Sequence, residues 1–156
     1  WLFQREIPSE ENSFINEYSN ISREDFNKAL EIIIAQSKGL QLPEGYVPQT
    51  IYYLWDDDII VGEFHIRHYL CESLINGAGH IGYYIAPEYR KNGYATQGLR
   101  LALSIAENIV PEDEIYLRTD KYNTASLKVM LSNGGYIHHE DELKYYVRIK
   151  KDNSEV

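Results

Sequence analysis

The chain holds one cysteine, Cys71, and one methionine, Met130, among 156 residues. A single thiol closes no internal disulfide and offers no thiolate cluster for a structural zinc ion, which fits a reducing compartment. Cys71 lies in the apolar run "YLCESLI", where a buried, inert thiol is expected and a nucleophile is not. Basic residues are scarce as well: 15 Lys and Arg stand against 24 Asp and Glu, a formal net charge of -9. That balance argues against nucleic acid or an anionic membrane as the main partner, and it permits a cationic substrate. No apolar run approaches the roughly 20 residues of a membrane span, and "WLFQREIPSEEN" lacks the regions of a secretion signal. A cytoplasmic location is the expectation. The chain begins at Trp1 without a methionine, so a shortened N-terminus and a clipped first strand are also expected.

What is present suits one globular domain spanning residues 1–156, with 44% hydrophobic and 25% charged residues and no repeat or linker. "SREDFNKALEIIIAQSKG" reads as a helix: Ser22 with Asp25 resembles a capping box, Phe26, Leu30, Ile33 and Ile34 share a face, and Gly39 ends it. "QTIYYLWDDDIIVGEFHIRHYL" holds two β-rich runs around an acidic turn, a hairpin. "CESLING" reads as a short helix and "GHIGYYIAP" as a strand ending at Pro87. From Gly93 to about Val110, Ala95, Leu99, Ala102, Ala106 and Ile109 recur at helical spacing. Next come the strand "EIYLRTD", the helix "NTASLKVMLSNGG" and a closing strand or hairpin, "YIHHEDELKYYVRIK". The order predicts a mixed sheet with helices on its faces, in which a crossover helix sets two strands parallel.

Between strand and helix stands "RKNGYA", Arg90 to Ala95. A helix N-terminus leaves backbone N–H groups unpaired and carries partial positive charge, so it binds anions where the backbone is accessible. Gly93 removes a side chain at the point of approach, Ala95 keeps the first turn open, and Arg90 and Lys91 add positive charge. No Gly-Lys-Ser/Thr follows and the three-glycine dinucleotide spacing is absent, which disfavours a nucleoside triphosphatase. A basic turn with a convenient glycine is the plainer reading of the six residues alone.

With its surroundings, "IAPEYRKNGYA" resembles the pyrophosphate motif of the GNAT superfamily of N-acetyltransferases, and "DKYNTASLKVMLSNGGYI" is similar to the family's second signature. "GEFHIRHYL", "GHIGYYIAPEYRKNGYAT" and "NTASLKVMLSNGG" further resemble a bacterial subgroup of predicted acetyltransferases, over roughly residues 43–150. The resemblance implies an α/β (α+β) fold: a mixed, mostly antiparallel central sheet with a parallel, splayed strand pair, flanked by helices. It implies acetyl-CoA as cosubstrate, no metal, and a small-molecule or peptide amine as acceptor, in a monomer or homodimer.

The resemblance also assigns roles. Tyr83, Tyr84 and Ile85 correspond to the strand whose backbone pairs with the pantetheine arm. Arg90, Lys91, Asn92, Gly93, Tyr94, Ala95 and Thr96 correspond to the pyrophosphate loop, and Asn123 and Ser126 to side chains that touch the pantetheine end. Direct transfer needs a base, because an ammonium has no lone pair. His80, where relatives often carry glutamate, is the first candidate and Glu63 the second, with His65 on the same side of its strand. Each has a structural alternative: His80 as a partner of a loop carbonyl, Glu63 as a solvated carboxylate or partner of Arg67. His68 lines the acceptor site or caps its strand. Relatives often supply an acid from a tyrosine seven residues after Asn123, where this chain has Met130; Tyr136, Tyr84 or water are substitutes. A thiolate is an acceptable leaving group, so no dedicated acid is required. Gly98 reads as a close-packing site. An N-acetyltransferase is the favoured function, and a catalytically silent acyl-CoA-binding or sensing domain the alternative.

Overall fold

The computed structural model describes residues 1–151. It opens on elements that no local pattern announced: a short helix α1 (Leu2–Glu6), then a two-stranded hairpin of β1 (Glu10–Glu11) and β2 (Phe14–Ile15). The hairpin turns through Asn12 and Ser13, both with positive φ (51° and 64°), the backbone that a two-residue turn requires. Helix α2 (Arg23–Ser37) starts as expected, with Ser22 Oγ accepting from the Asp25 N–H at 3.1 Å and donating to the Asp25 carboxylate at 2.7 Å. Its apolar face is only partly used. Phe26 is buried but Ile34 is exposed, because α2 packs against the edge strand β3 (Gln49–Asp56) and not across a whole sheet.

β3 and β4 (Ile59–Arg67) form the acidic-turned hairpin, and β5 (Ile81–Ile85) joins β4 antiparallel. Between β4 and β5 lies the one-turn helix α3 (Glu72–Ile75). Cys71 precedes it and is partly exposed, its Sγ 3.2 Å from Ser73 Oγ. The expected buried thiol is therefore corrected: a single surface turn has no interior. Helix α4 (Tyr94–Ala106) carries the chain over to β6 (Glu114–Asp120), which is followed by α5 (Thr124–Ser132), β7 (Tyr136–Glu140) and β8 (Lys144–Lys150). β6, β8 and β7 make a second antiparallel sheet in that order.

The two sheets meet at one place. The His80 N–H donates to the Tyr116 carbonyl at 2.7 Å, and the Tyr116 N–H donates to His80 Nδ1 at 2.9 Å. Beyond this junction no backbone bond joins β5 to β6 among the described residues, which leaves one edge of β5 open. Gly79 (φ +67°) makes the approach possible, since a Cβ there would lie 2.2 Å from the Tyr116 carbonyl oxygen.

One face of both sheets is the core: Phe64, Ile66, Ile81, Leu117 and Val147 pack beneath Leu99, Ala102 and Ala106 of α4 and Met130 of α5. Gly98 does act as a close-packing site, because a Cβ there would lie 2.2 Å from the Phe64 ring. By strand alternation the opposite face presents Glu63, His65 and Arg67 on β4, Gly82 and Tyr84 on β5, Tyr116 and Arg118 on β6, and Tyr146 and Arg148 on β8.

Candidate active site

Two cavities concern the site, one along β5 and one over β4. The first, about 540 Å³, lies between β5, the turn before α4 and the start of α5. It brings together Tyr83, Tyr84, Ile85, Arg90, Lys91, Gly93, Tyr94, Ala95, Thr96, Asn123 and Ser126. Asn92 is left outside, with its amide donating to the Tyr89 and Arg90 carbonyls.

Backbone groups dominate this cavity. The Ala86 N–H donates to the Val61 carbonyl and the Arg67 N–H to the His80 carbonyl. In an antiparallel ladder such pairs alternate, so Gly82 and Tyr84 bond to β4 while Tyr83 and Ile85 turn their backbone groups to the open edge. Arg90 Nε donates to the exposed Ile85 carbonyl at 2.9 Å. At the mouth, Lys91 (φ 65°) and Gly93 (φ 84°) curl the chain into a nest ahead of α4. No side chain caps that helix and its first turn holds no acid, so the leading N–H groups stay available. A Cβ on Gly93 would meet nothing within 4 Å, which leaves room for a bulky anion at the helix end.

Two expected contacts have other engagements. Arg90 does not aim its guanidinium into the nest; it forms a bidentate pair with Glu11 of β1, both contacts 2.8 Å, and the hydrogen bond holds the Glu11 carboxyl below its usual range. Asn123 Oδ1 caps α5 by accepting the Ser126 N–H at 3.1 Å. Tyr83 bridges to α5, its hydroxyl 2.8 Å from Ser126 Oγ, and burial pushes its pKa up to about 12.

The second cavity, about 520 Å³, opens on the other face of the sheet. Its lining includes Glu63, His65 and Arg67 with Gln4, Asn16, Glu17 and Tyr18. Glu63 is 1% exposed, so it is not the solvated carboxylate of the plainer reading, and no ion pair joins it to Arg67. It accepts a hydrogen bond from Gln4 Nε2, which also reaches the Tyr53 hydroxyl at 3.0 Å. Burial raises the Tyr53 pKa, which keeps that hydroxyl protonated. Asn16 ties Gln4 in place through the Gln4 carbonyl at 2.7 Å. The other Glu63 oxygen lies 3.3 Å from His65 Nε2. Across the ladder from His65 stands Gly82, where a Cβ would meet nothing within 4 Å. The imidazole therefore borders open space beside β5. Phe14 of β2 separates the cavities: it lines the first and packs on His65 and Tyr84, with centroids 5.2 and 5.4 Å away.

His80 joins neither cavity. Its ring is 0% exposed, Nδ1 accepts from the Tyr116 N–H, and Nε2 therefore donates to Glu112 at 3.1 Å. Burial lowers its pKa, partly offset by Glu112. The ring completes a sheet hydrogen bond and leaves no nitrogen for a substrate, against the sequence expectation of a base. His68 is likewise held, 2.9 Å from Thr50 Oγ1. Tyr136 lies on β7, its hydroxyl donating to Glu114 at 2.8 Å, and borders neither cavity. Met130, 2% exposed, faces the core, so position 130 presents nothing to the first cavity.

The profile of the Acetyltransferase (GNAT) domain family matches residues 10–135, most of the chain. The protein belongs to the GNAT family. It is accordingly an acyltransferase, and GNAT members use acetyl-CoA to acetylate amines. RimJ of Mycobacterium smegmatis, solved with CoA-disulfide, superposes with a TM-score of 0.64 at 18% identity, covering 88% of this chain and 66% of that one. Ribosomal-protein-S5-alanine acetyltransferase from Vibrio fischeri gives 0.63 at 16%, covering 87% and 76%. N-acetyltransferase PseH of Campylobacter jejuni, in complex with acetyl coenzyme A, gives 0.59 at 20%, covering 96% of each chain. At these identities the likenesses bear on the fold. No curated protein matches the sequence.

Gln4, Glu11 and Phe14 are the site-forming residues that the sequence reading missed. The one available signal was a two-residue Asn-Ser turn between short runs in "EENSFI", which marks a hairpin but not what it covers.

Proposed function

We propose that this GNAT protein transfers the acetyl group of acetyl-CoA directly to the amine of a small molecule or peptide, with the donor in the first cavity and the acceptor in the second. The observation that carries the reading is the pairing of an open β5 edge with an uncapped α4 N-terminus in one cavity. The edge offers N–H and C=O groups at the spacing of a strand to the amide-bearing pantetheine arm, and the nest at Lys91 and Gly93 offers N–H groups to its pyrophosphate. Arg90 serves by clamping the strand end to Glu11 and not by a direct phosphate contact.

Acetyl-CoA supplies the activated acyl group; the protein orders the reactants and handles charge. The edge N–H of Tyr83 or Ile85 is the group available to a developing oxyanion. His65 is the base we favour: Nε2–H donating to Glu63 leaves Nδ1 as the acceptor of the amine proton, and the buried Glu63 fixes the tautomer and stabilises the imidazolium. His80 is then a positioning residue for the sheet junction. No acid is assigned to the leaving thiolate.

Thiol release from acetyl-CoA across a panel of amines tests the reading. Turnover with at least one acceptor, lowered about a hundredfold in His65→Gln while acetyl-CoA binding persists, is the expected result. Tight acetyl-CoA binding with no turnover on any amine would instead favour the silent binding domain.

A further inference from the structure

In a chain of net charge -9, cations are expected to find carboxylates, and several do: Arg90 with Glu11, Lys144 with Asp120, Lys121 with Glu140. Three arginines on the acceptor face do not. Arg67, Arg118 and Arg148 take part in no ion pair among the described residues. Arg67 lines the acceptor cavity, and its guanidinium reaches only the Gly79 carbonyl, at 3.1 Å. Gly79 sits against the carbonyl of Tyr116, whose ring carries the Arg148 guanidinium at 3.4 Å. Arg148 is 4% exposed and its one hydrogen bond goes to the Val147 carbonyl. Arg118 follows Tyr116 by two residues on the same face and pairs across the ladder with Tyr146.

Four neighbouring carboxylates are already engaged, and Glu17, which also lines the acceptor cavity, makes no ion pair with Arg67. Asp120 is held by Lys144 and Ser13, Glu112 by His80 and the Leu70 N–H, Glu114 by Tyr136, and Glu63 by Gln4 and His65. A half-buried group of guanidiniums without a counter-charge is costly unless something negative joins it. Burial, and after it the charge of Arg118, lowers the Arg67 pKa.

Resting on the transfer reading above, we infer that the acceptor is an amine that also carries an oxyanion, a carboxylate or phosphate, bound by Arg67 while its amine faces His65 and Glu63 in the same cavity. His65 and Arg67 stand two residues apart on one strand face, about 7 Å. The acceptor is then compact, with amine and anion a few bonds apart. This reverses the expectation of a cationic substrate drawn from net charge, because the field at the site, and not the sum over the surface, selects the ligand. Arg118 and Arg148, on the same face of the second sheet, add positive charge behind Arg67.

The test compares matched acceptors by thiol release: ω-amino carboxylates of increasing length, phosphoethanolamine, neutral alkylamines and diamines. The inference expects kcat/KM at least about tenfold higher for an anionic acceptor than for its neutral match, and lower still for the diamine. Carboxylate and phosphate arms then tell which oxyanion fits. Arg67→Gln should raise KM for the anionic acceptor roughly tenfold to a hundredfold with acetyl-CoA affinity kept, Arg67→Lys should restore part of it, and Arg118→Gln should give a smaller rise. Equal kcat/KM for all end groups, or a wild-type preference for diamines, would overturn it. If no acceptor turns over, calorimetric titration of the amino carboxylates and phosphoethanolamine into the CoA-loaded protein decides separately: binding that needs Arg67 supports the anion site although transfer has failed, and absence of binding overturns the anion site itself.

Discussion

The two cavities, one along β5 and one over β4, are built by different means. The first, where we propose the donor, is made largely of main chain: an open strand edge, two positive-φ residues and a helix end, most of it supplied by one continuous segment from Tyr83 to Thr96. The second, where we propose the acceptor, is made of side chains brought from α1, β2, β4 and the segment after α2. Main-chain sites depend on a few residues whose absence of bulk is essential. Side-chain sites depend on tertiary packing, and each member can be exchanged.

That contrast can be broken at either end. The largest effect should come from Gly93→Val: a β-branched residue at φ +84° is strained by about 1–3 kcal/mol and fills the space left for an anion. Acetyl-CoA affinity is expected to fall by about a hundredfold or more, and a folded variant with wild-type affinity would end the loop assignment. On the acceptor side, His65→Gln should lower kcat by roughly a hundredfold, with acetyl-CoA binding intact and the rise of rate with pH flattened. If the pH profile of His65→Gln matches wild type, the base is elsewhere. Glu63→Gln should cost less, about tenfold in kcat, since it removes the orienting charge and keeps the ring.

His80 sharpens the comparison because it serves the fold at the seam between the two sides. His80→Ala should destabilise the protein by about 2–4 kcal/mol in chemical denaturation, leaving the Tyr116 N–H and one Glu112 oxygen without their partner. Its folded pKa is lowered, so the unfolded chain binds the proton more readily; the stability is complete above the ordinary histidine value of about 6.5 and is lost as pH falls below it. A variant with unchanged pH dependence would show that another group titrates. The smallest effect concerns the hairpin. Glu11, lowered chiefly by its hydrogen bond with Arg90, and Asp120, lowered because Lys144 and Ser13 outweigh its burial, give stability that is present above about pH 4 and disappears as pH falls through their folded values. Hydrogen exchange of residues 10–15 should rise there first; uniform exchange across the domain would contradict it.

The same contrast explains what could be read beforehand. The crossover helix, the glycine turn and the Asn-led helix were legible because their physics is local: spacing, a missing side chain, a cap. Even there, Arg90 and Asn123 were recognised without their partners, since Glu11 is 79 residues away from Arg90 and the cap competes for the Asn123 oxygen. His80 was legible as a residue but not in its role. Only the register of Gly79 against Tyr116 shows the ring substituting for a strand contact. Gln4 and Phe14 lay in a polar stretch with no periodicity, and their importance arises from folding back over β4 and β5.

If donor and acceptor bind as proposed, Phe14 gives them a common wall. A ring that touches the first cavity on one side and the His65 imidazole on the other cannot adjust to one ligand without altering the welcome given to the second. We therefore expect binding to be mutually dependent, with CoA in place changing the acceptor's dissociation constant and the acceptor changing that of CoA by the same factor. Titrations with and without the partner ligand measure that factor in both directions. Phe14→Ala should bring it towards one, and a factor of one in the unaltered protein would mean the wall does not move.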